Sequence, residues 1–221
     1  MNEEFSKELS KNILKSNTSL VGIRCKDGVV LGADRRGTAG SIVMSKDHTK
    51  IHKINDYIAT AYTGGVADLQ LTNKLIAAEL RLKDLRTKQR SSVREAAHLL
   101  GMMTYRNIRN PSMIPNIVGT LLAGVDEDGT AKLFSIEPAG GIDEVTDYDA
   151  NFSSGMPYIL GLLERLYKKD LSVKEGIELA KECLKSSTQR DSGSGNGIDV
   201  FSITKEGIKH VVSEEIVAEY K

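Results

Sequence analysis

The hydrophobic period of this chain changes four times along its length, and that alternation narrows the possible folds more than any other feature. Two nearly continuous apolar stretches, Thr18–Cys25 and Gly28–Asp34, are joined through Lys26 and Asp27, a hairpin turn signal. Ile42–Met44, Lys50–Ile54 and Tyr57–Thr63 continue the strand pattern. The period then becomes helical over Asp68–Arg86, where Leu69, Leu71, Leu75, Ile76, Leu80 and Leu82 recur near 3.6-residue spacing. Ser92-Val93-Arg94-Glu95 has the pattern of a capping box and predicts a second helix through about Asn107. Strands return at Asn116–Val125 and Ala131–Ile136, with a turn at Asp128-Gly129. Helices follow at Pro157–Lys168 and, behind a second capping box at Ser172 and Glu175, as far as Ser187. A terminal hairpin, Ile198–Thr204 and Ile208–Ser213, turns at Glu206-Gly207. Each helix pair has one apolar face and each strand set needs cover. This order predicts an α+β chain: a four-layer αββα sandwich with two antiparallel sheets between helix pairs, built as one domain.

Composition removes several classes of function. Lys plus Arg and Asp plus Glu both number 30, so no net charge draws the chain to nucleic acid or an anionic membrane. No apolar run reaches the ~18–20 residues needed to span a bilayer. Residues 1–17, MNEEFSKELSKNILKSN, carry Glu3, Glu4 and Glu8, lack the apolar stretch of a secretory signal, and read as a detachable polar segment. Cys25 and Cys183 sit in apolar patterns and are expected to be buried, reduced thiols of a cytoplasmic protein. The sequons at Asn17 and Asn151 carry no weight without export.

No metal or cofactor is expected. His48, His52, His98 and His210 lack ligand spacing with one another or with the cysteines, and His98 lies in an apolar helix, where packing or an interface explains it. The glycine-rich run Gly193–Gly197 leads into a strand, so it lacks the helix N-terminus that would hold a phosphate. What remains unusual is a set of polar groups at strand ends: Thr18-Ser19, Asp34-Arg35-Arg36, Lys50, Thr63-Gly64-Gly65, Ser153-Ser154-Gly155 and Arg190–Gly195. Taken singly, each has an ordinary explanation: Asp34 as a turn cap, Lys50 as a surface residue, Ser154 as a helix cap.

Together, in this order and spacing, they resemble a known family. TSLVGIRCKDGVVLGADRR, Lys50, AYTGGVAD, FSSGMP and QRDSGSG resemble, in register, the successive motifs of a mature proteasome β subunit of the archaeal type. The resemblance covers nearly everything from Thr18 onward. It implies the N-terminal nucleophile hydrolase fold, with residues 1–17 as a propeptide and 18–221 as the catalytic domain of a zymogen processed autocatalytically between Asn17 and Thr18. It matches Thr18 to the nucleophile, Asp34 and Lys50 to its close partners, and Ser154, Asp191 and Ser194 to the supporting polar set. Gly64 falls at the oxyanion donor; Gly37, Thr38, His48 and Tyr62 fall where substrate is bound. The implied activity is that of a threonine endopeptidase degrading unfolded polypeptides. The implied partners are α subunits and other β subunits in stacked heptameric rings, with a regulatory ATPase ring acting through the α ring.

Such chemistry suits these residue types. A threonine hydroxyl is a weak nucleophile and needs a base. A freed α-amine, with pKa ~7.7–8.0, is well placed to be that base. Other families use an N-terminal nucleophile on small amides, but the Lys50 spacing and QRDSGSG favour the proteasome branch; α subunits lack the threonine. A second class also fits: a β subunit that assembles without cleaving. Asn17 stands where maturing members usually have glycine, which predicts slow removal of residues 1–17, and Ser153 replaces another common glycine.

Overall fold

A computed structural model describes residues 17–112 and 116–216; the segment read as a propeptide therefore lies outside the described residues except for Asn17. The first strands are β1 (Leu20–Cys25), β2 (Gly28–Asp34), β3 (Gly37–Ala39), β4 (Ile42–Ser45), β5 (Ile51–Lys53) and β6 (Ile58–Gly64). Helices α1 (Val66–Thr87) and α2 (Val93–Arg109) follow, then β7 (Val118–Val125), β8 (Ala131–Ile136), β9 (Ile142–Val145) and β10 (Tyr148–Asp149). Helices α3 (Met156–Leu166) and α4 (Val173–Thr188) precede the closing hairpin β11 (Gly197–Thr204) and β12 (Gly207–Glu215). One five-stranded sheet has the order β10-β1-β2-β11-β12 and the other β5-β6-β7-β8-β9, each antiparallel throughout, with β3-β4 as a separate hairpin.

Side-chain alternation explains the layering. In β2, Val29, Leu31 and Ala33 face a core shared with Leu121, Ala123 and Val125 of β7, which is the contact between the sheets. Val30 points the other way, into a core with Ile159, Leu163, Ala180, Cys183 and Leu184 of α3 and α4. Leu122 and Phe134 likewise turn outward to Ile76, Leu80, Ala96 and Leu100 of α1 and α2. Both faces of each central strand are covered, so β2 and β7 read as unbroken apolar runs rather than as alternation. Each Leu or Ile so buried contributes about 1.5–3 kcal/mol. The sandwich expected from element order is thus the fold observed.

Both capping boxes form: Ser92 Oγ accepts from Glu95 N and Ser172 Oγ from Glu175 N, and each glutamate accepts from the serine's backbone N–H. Both thiols are buried, and desolvation pushes each up to about 12, which leaves them inert. Asn151 is also buried; its amide donates to Thr120 O, Ser135 Oγ and Ile136 O, so the sequon is a core bridge and no surface acceptor.

Several elements depart from the sequence reading. In α1 only Leu69, Thr72, Ile76 and Leu80 are buried, the single stripe that 3–4 spacing allows, while Leu71, Leu75 and Leu82 face outward. His98 is exposed on α2. Strands β3, β9 and β10 have no counterpart in the predicted elements, and the first strand begins at Leu20, which leaves Thr18 and Ser19 just before it.

Candidate active site

The β1–β2 register pairs Leu20 with Ala33, and Asp34 N donates to Ser19 O at 3.1 Å, so the hairpin sets Thr18 and Asp34 at one end of the first sheet. Lys50 precedes β5 and Gly64 closes β6, at the same end of the second sheet. Their backbones are linked: Tyr62 N donates to Lys50 O at 3.1 Å. The Ser153–Gly155 turn before α3 and the Asp191–Gly195 loop after α4 complete the rim. The site thus occupies the end of the inter-sheet core, where strand termini leave backbone N–H groups free to bind a carboxylate.

Asp34 is almost fully buried and its carboxylate is saturated. Oδ1 accepts from Ser19 N at 2.9 Å and Lys50 Nζ at 2.6 Å; Oδ2 accepts from Arg36 N and Gly195 N, both at 2.9 Å. Four donors so placed leave neither oxygen of this buried side chain without a partner. Lys50 is buried with it; desolvation lowers the Lys50 pKa, and attraction from Asp34 opposes that shift. Lys50 Nζ is therefore fixed on Asp34, whose other three donors are backbone N–H groups, and Lys50 lines the same pocket as Thr18.

Thr18 is buried, and its Oγ1 donates to Asn17 O at 2.7 Å, so the hydroxyl lies against the carbonyl of the bond that precedes it. Its N–H donates to Ser154 Oγ at 3.0 Å, and Ser154 Oγ reaches Asp191 Oδ2 at 2.6 Å. Ser194 Oγ donates to the same oxygen at 2.5 Å and accepts from Ser19 Oγ at 2.8 Å, which in turn stands 2.6 Å from Ser187 Oγ. On one side the donors run from Ser187 to Ser19 to Ser194 to Asp191; on the other, Ser154 Oγ accepts from Thr18 N–H and lies within reach of both Asp191 Oδ2 and Thr18 O, the latter at 3.1 Å. Asp191 Oδ2 is thus the point on which the Ser154 and Ser194 hydroxyls converge. Gly155 makes the packing possible, since a Cβ there would lie 2.0 Å from Ser19 Oγ and 2.2 Å from Ser187 Oγ. Ser153, where the resemblance leads one to expect glycine, is accommodated; it is buried and its Oγ donates to Ala150 O at 2.7 Å.

Thr18 and Lys50 open onto a pocket of about 250 Å³. Gly37, Thr38, Ala39, Met44 and Ser45 of the β3–β4 hairpin form one wall, His48 and Tyr62 another, and Gly64, Val66 and Leu69 the third. Gly64 has φ +122°, and a Cβ there would meet Ile117 O at 2.1 Å, so only glycine fits. Tyr62 is buried, its hydroxyl donates to Asn73 Oδ1 at 3.2 Å, and burial pushes its pKa up, so it is a neutral floor. Burial and then Lys50 lower the His48 pKa, with Asp34 opposing, which leaves the ring neutral at pH 7. No carboxylate is among the lining residues. Among the described residues no group of His, Cys, Asp and Glu is placed to hold a metal ion.

The structure brings together all the residues singled out from the sequence. Thr18, Ser154, Asp191 and Ser194 form one hydrogen-bonded group and Asp34 and Lys50 another, the two joined through Ser19, and Gly37, Thr38, His48, Tyr62 and Gly64 line the pocket. Sequence reasoning set Ser19, Arg36, Gly155 and Gly195 within unusual polar segments without giving any of them a role, and missed Ser187. Ser19 was signalled only by its place beside Thr18, and Ser187 by nothing local.

Two antiparallel sheets between helix pairs, with a threonine at the open end of the sheet stack, define the N-terminal nucleophile hydrolase fold. A family model described as "Proteasome subunit" matches residues 14–203. The chain is similar to proteins named "Proteasome subunit beta": that of Methanocaldococcus vulcanius, 39% identical over 199 residues, covering 90% of this chain and 87% of the relative; that of Methanococcus maripaludis, 38% over 215 residues, 97% and 94%; and that of Nanoarchaeum equitans, 40% over 197 residues, 89% and 98%. This chain belongs to the proteasome subunit family and is a β-type member of it.

Proposed function

We propose that this chain is a threonine endopeptidase of the proteasome core particle, active once residues 1–17 are removed. The observation that carries the reading is the setting of Thr18. Its Oγ1 rests against Asn17 O, its nitrogen is held by Ser154 and Asp191, and Lys50 shares its pocket. Maturation begins as Thr18 Oγ1 adds to the Asn17 carbonyl carbon. The C–N bond breaks, the hydroxyl proton passes to the leaving nitrogen, and an ester remains. Water then hydrolyses that ester, giving an Asn17 carboxylate and the free hydroxyl beside the α-amine already released. In turnover the amine takes the hydroxyl proton as Oγ1 attacks a peptide carbonyl and returns it to the departing amine; water then hydrolyses the acyl ester, which releases the carboxylate product and restores the Thr18 hydroxyl. Lys50 favours the developing negative charge and lowers the pKa of the amine beside it. The Gly64 N–H is the donor for the oxyanion.

Substrate lies extended beside Thr38 and Gly64 as an added antiparallel strand, and the side chain next to the attacked carbonyl enters the pocket. With a Tyr62 floor, a neutral His48 and Lys50 nearby, that side chain is small or medium-sized and not basic. Fluorogenic peptides that differ only at this residue test the reading: leucine or alanine substrates will be cleaved at least about tenfold faster than the arginine substrate, the equivalent of ~1.4 kcal/mol. A preference for arginine would contradict the pocket assignment. Absence of all cleavage by the matured chain would instead favour the non-cleaving scaffold, a reading that the complete site and the β-type relatives do not favour.

Assembly in rings with α-type and β-type subunits agrees with the apolar surface left by the fold. Leu71, Leu82 and Leu85 stand exposed on α1, and Met102 and Tyr105 on α2, apolar side chains that neighbouring subunits could cover. Light scattering of the chain co-expressed with an α-type subunit will show a particle of several hundred kilodaltons or larger; a stable monomer in that mixture would exclude ring assembly. Action on unfolded polypeptide, delivery through the α ring by an ATPase ring, and a cytoplasmic site belong to the same proposal. No described helix is long and apolar enough to cross a membrane.

A further inference from the structure

Gly193 lies in the loop between α4 and β11, and its glycine character is unexplained by the chemistry above. Its backbone does not require glycine: it is absent from the residues with positive φ, unlike its neighbour Gly195. Space does require it. A Cβ at 193 would lie 2.0 Å from Asn17 Cβ, 2.5 Å from Asn17 Nδ2 and 2.6 Å from Asn17 Cγ, and these are its three nearest atoms. On its other sides residue 17 is already tied: Asn17 N donates to Thr38 Oγ1 at 3.1 Å, and Asn17 O accepts from Thr18 Oγ1 at 2.7 Å. The crowding expected from a side chain at position 17 is therefore met by removing one at position 193.

We propose that Gly193 is a positioning residue for maturation: it admits the Asn17 side chain, and the Asn17–Gly193 contact with the Asn17–Thr38 hydrogen bond holds the 17–18 bond in place for attack by Thr18 Oγ1. The inference rests on the maturation reading given under Proposed function. It assigns to one glycine a steric role for the precursor alone, because the contact disappears when Asn17 leaves. Ordinary contact begins near 3.4 Å, so the overlap made by a Cβ is about 1.4 Å. Relief requires Asn17 to shift, and a displacement of about 1 Å at a reacting bond slows a reaction by roughly 100-fold. Alanine keeps the backbone N–H of residue 193, which donates to Asp191 Oδ1 at 3.1 Å, so the loop's hydrogen bonding survives the change.

Intact mass of the assembled particle, followed over time, tests this with wild type, Gly193→Ala, Asn17→Gly and the double variant. Gly193→Ala will lose residues 1–17 at least about tenfold more slowly than wild type. Asn17→Gly will be no slower than wild type, and the double variant will recover to within about twofold of Asn17→Gly, because glycine at 17 removes all three clashing atoms. The proposal is overturned if Gly193→Ala matures at the wild-type rate or if Asn17→Gly does not rescue it. Wild type that keeps residues 1–17 indefinitely would overturn the maturation reading itself, and this inference with it.

Discussion

Thr18→Ala will abolish peptide cleavage by at least about 10⁴-fold while the particle still assembles, with residues 1–17 still attached. Thr18 lies before β1 and its backbone bonds do not depend on its side chain: N–H to Ser154 Oγ, and O from Gly155 N at 3.1 Å. Alanine removes one hydroxyl and one methyl from a buried site, a loss of about 1 kcal/mol, small against the stability of a domain. Activity and fold therefore separate cleanly. Thr18→Ser keeps a hydroxyl and will retain measurable cleavage. Two measurements check this, intact mass for retention of residues 1–17 and turnover of a leucine substrate, in a particle built without any other β type. Cleavage by the Thr18→Ala particle would move the nucleophile to another residue.

Lys50→Ala will have nearly as large an effect on rate, at least about 10³-fold, through charge. It will also be felt in stability. Asp34 would keep three backbone donors but lose its buried ion-pair partner, and an uncompensated buried charge costs about 3–5 kcal/mol. Asp34→Asn paired with Lys50→Met removes both charges together and will recover much of the melting temperature without recovering activity. That outcome assigns the rate loss to the missing cation and not to misfolding. The pH profile gives a second readout. A cation beside the Thr18 amine lowers its pKa from ~7.7–8.0, so the acid limb of kcat/KM in the mature wild type will fall below that range. Activity is lost as pH drops through the lowered value, because protonation removes the base. A residual rate in Lys50→Met whose acid limb lies at the wild-type position would show that Lys50 does not act on the amine.

Much of the fold was legible from local chemistry. The serine and glutamate of each capping box lie within one helical turn, so the starts of α2 and α4 needed no tertiary information. Strands such as β2 and β7 carry their burial in composition, as unbroken apolar runs. Short polar strands do not. Strand β9 holds Asp143 and Glu144, and β10 is two residues long; each exists because β8 or β1 offers an open edge. The exposed leucines of α1 likewise read as core until the sheet selects one stripe.

The site divides in the same way. Residue identity and order along the chain, through the family resemblance they carry, singled out Thr18, Asp34, Lys50, Ser154, Asp191 and Ser194 as candidates. Only the tertiary structure decided how they are held. Ser19 meets Ser187 across 168 positions, and Asp34 is gripped by the N–H of Gly195 across 161. Gly155 and Gly193 are required by neighbours distant in sequence, Ser19 with Ser187 for one and Asn17 for the other. A missing side chain leaves no chemical mark on the sequence around it, and a backbone N–H is the same at nearly every residue. Such contacts are specified by which surfaces the folded sheets bring together.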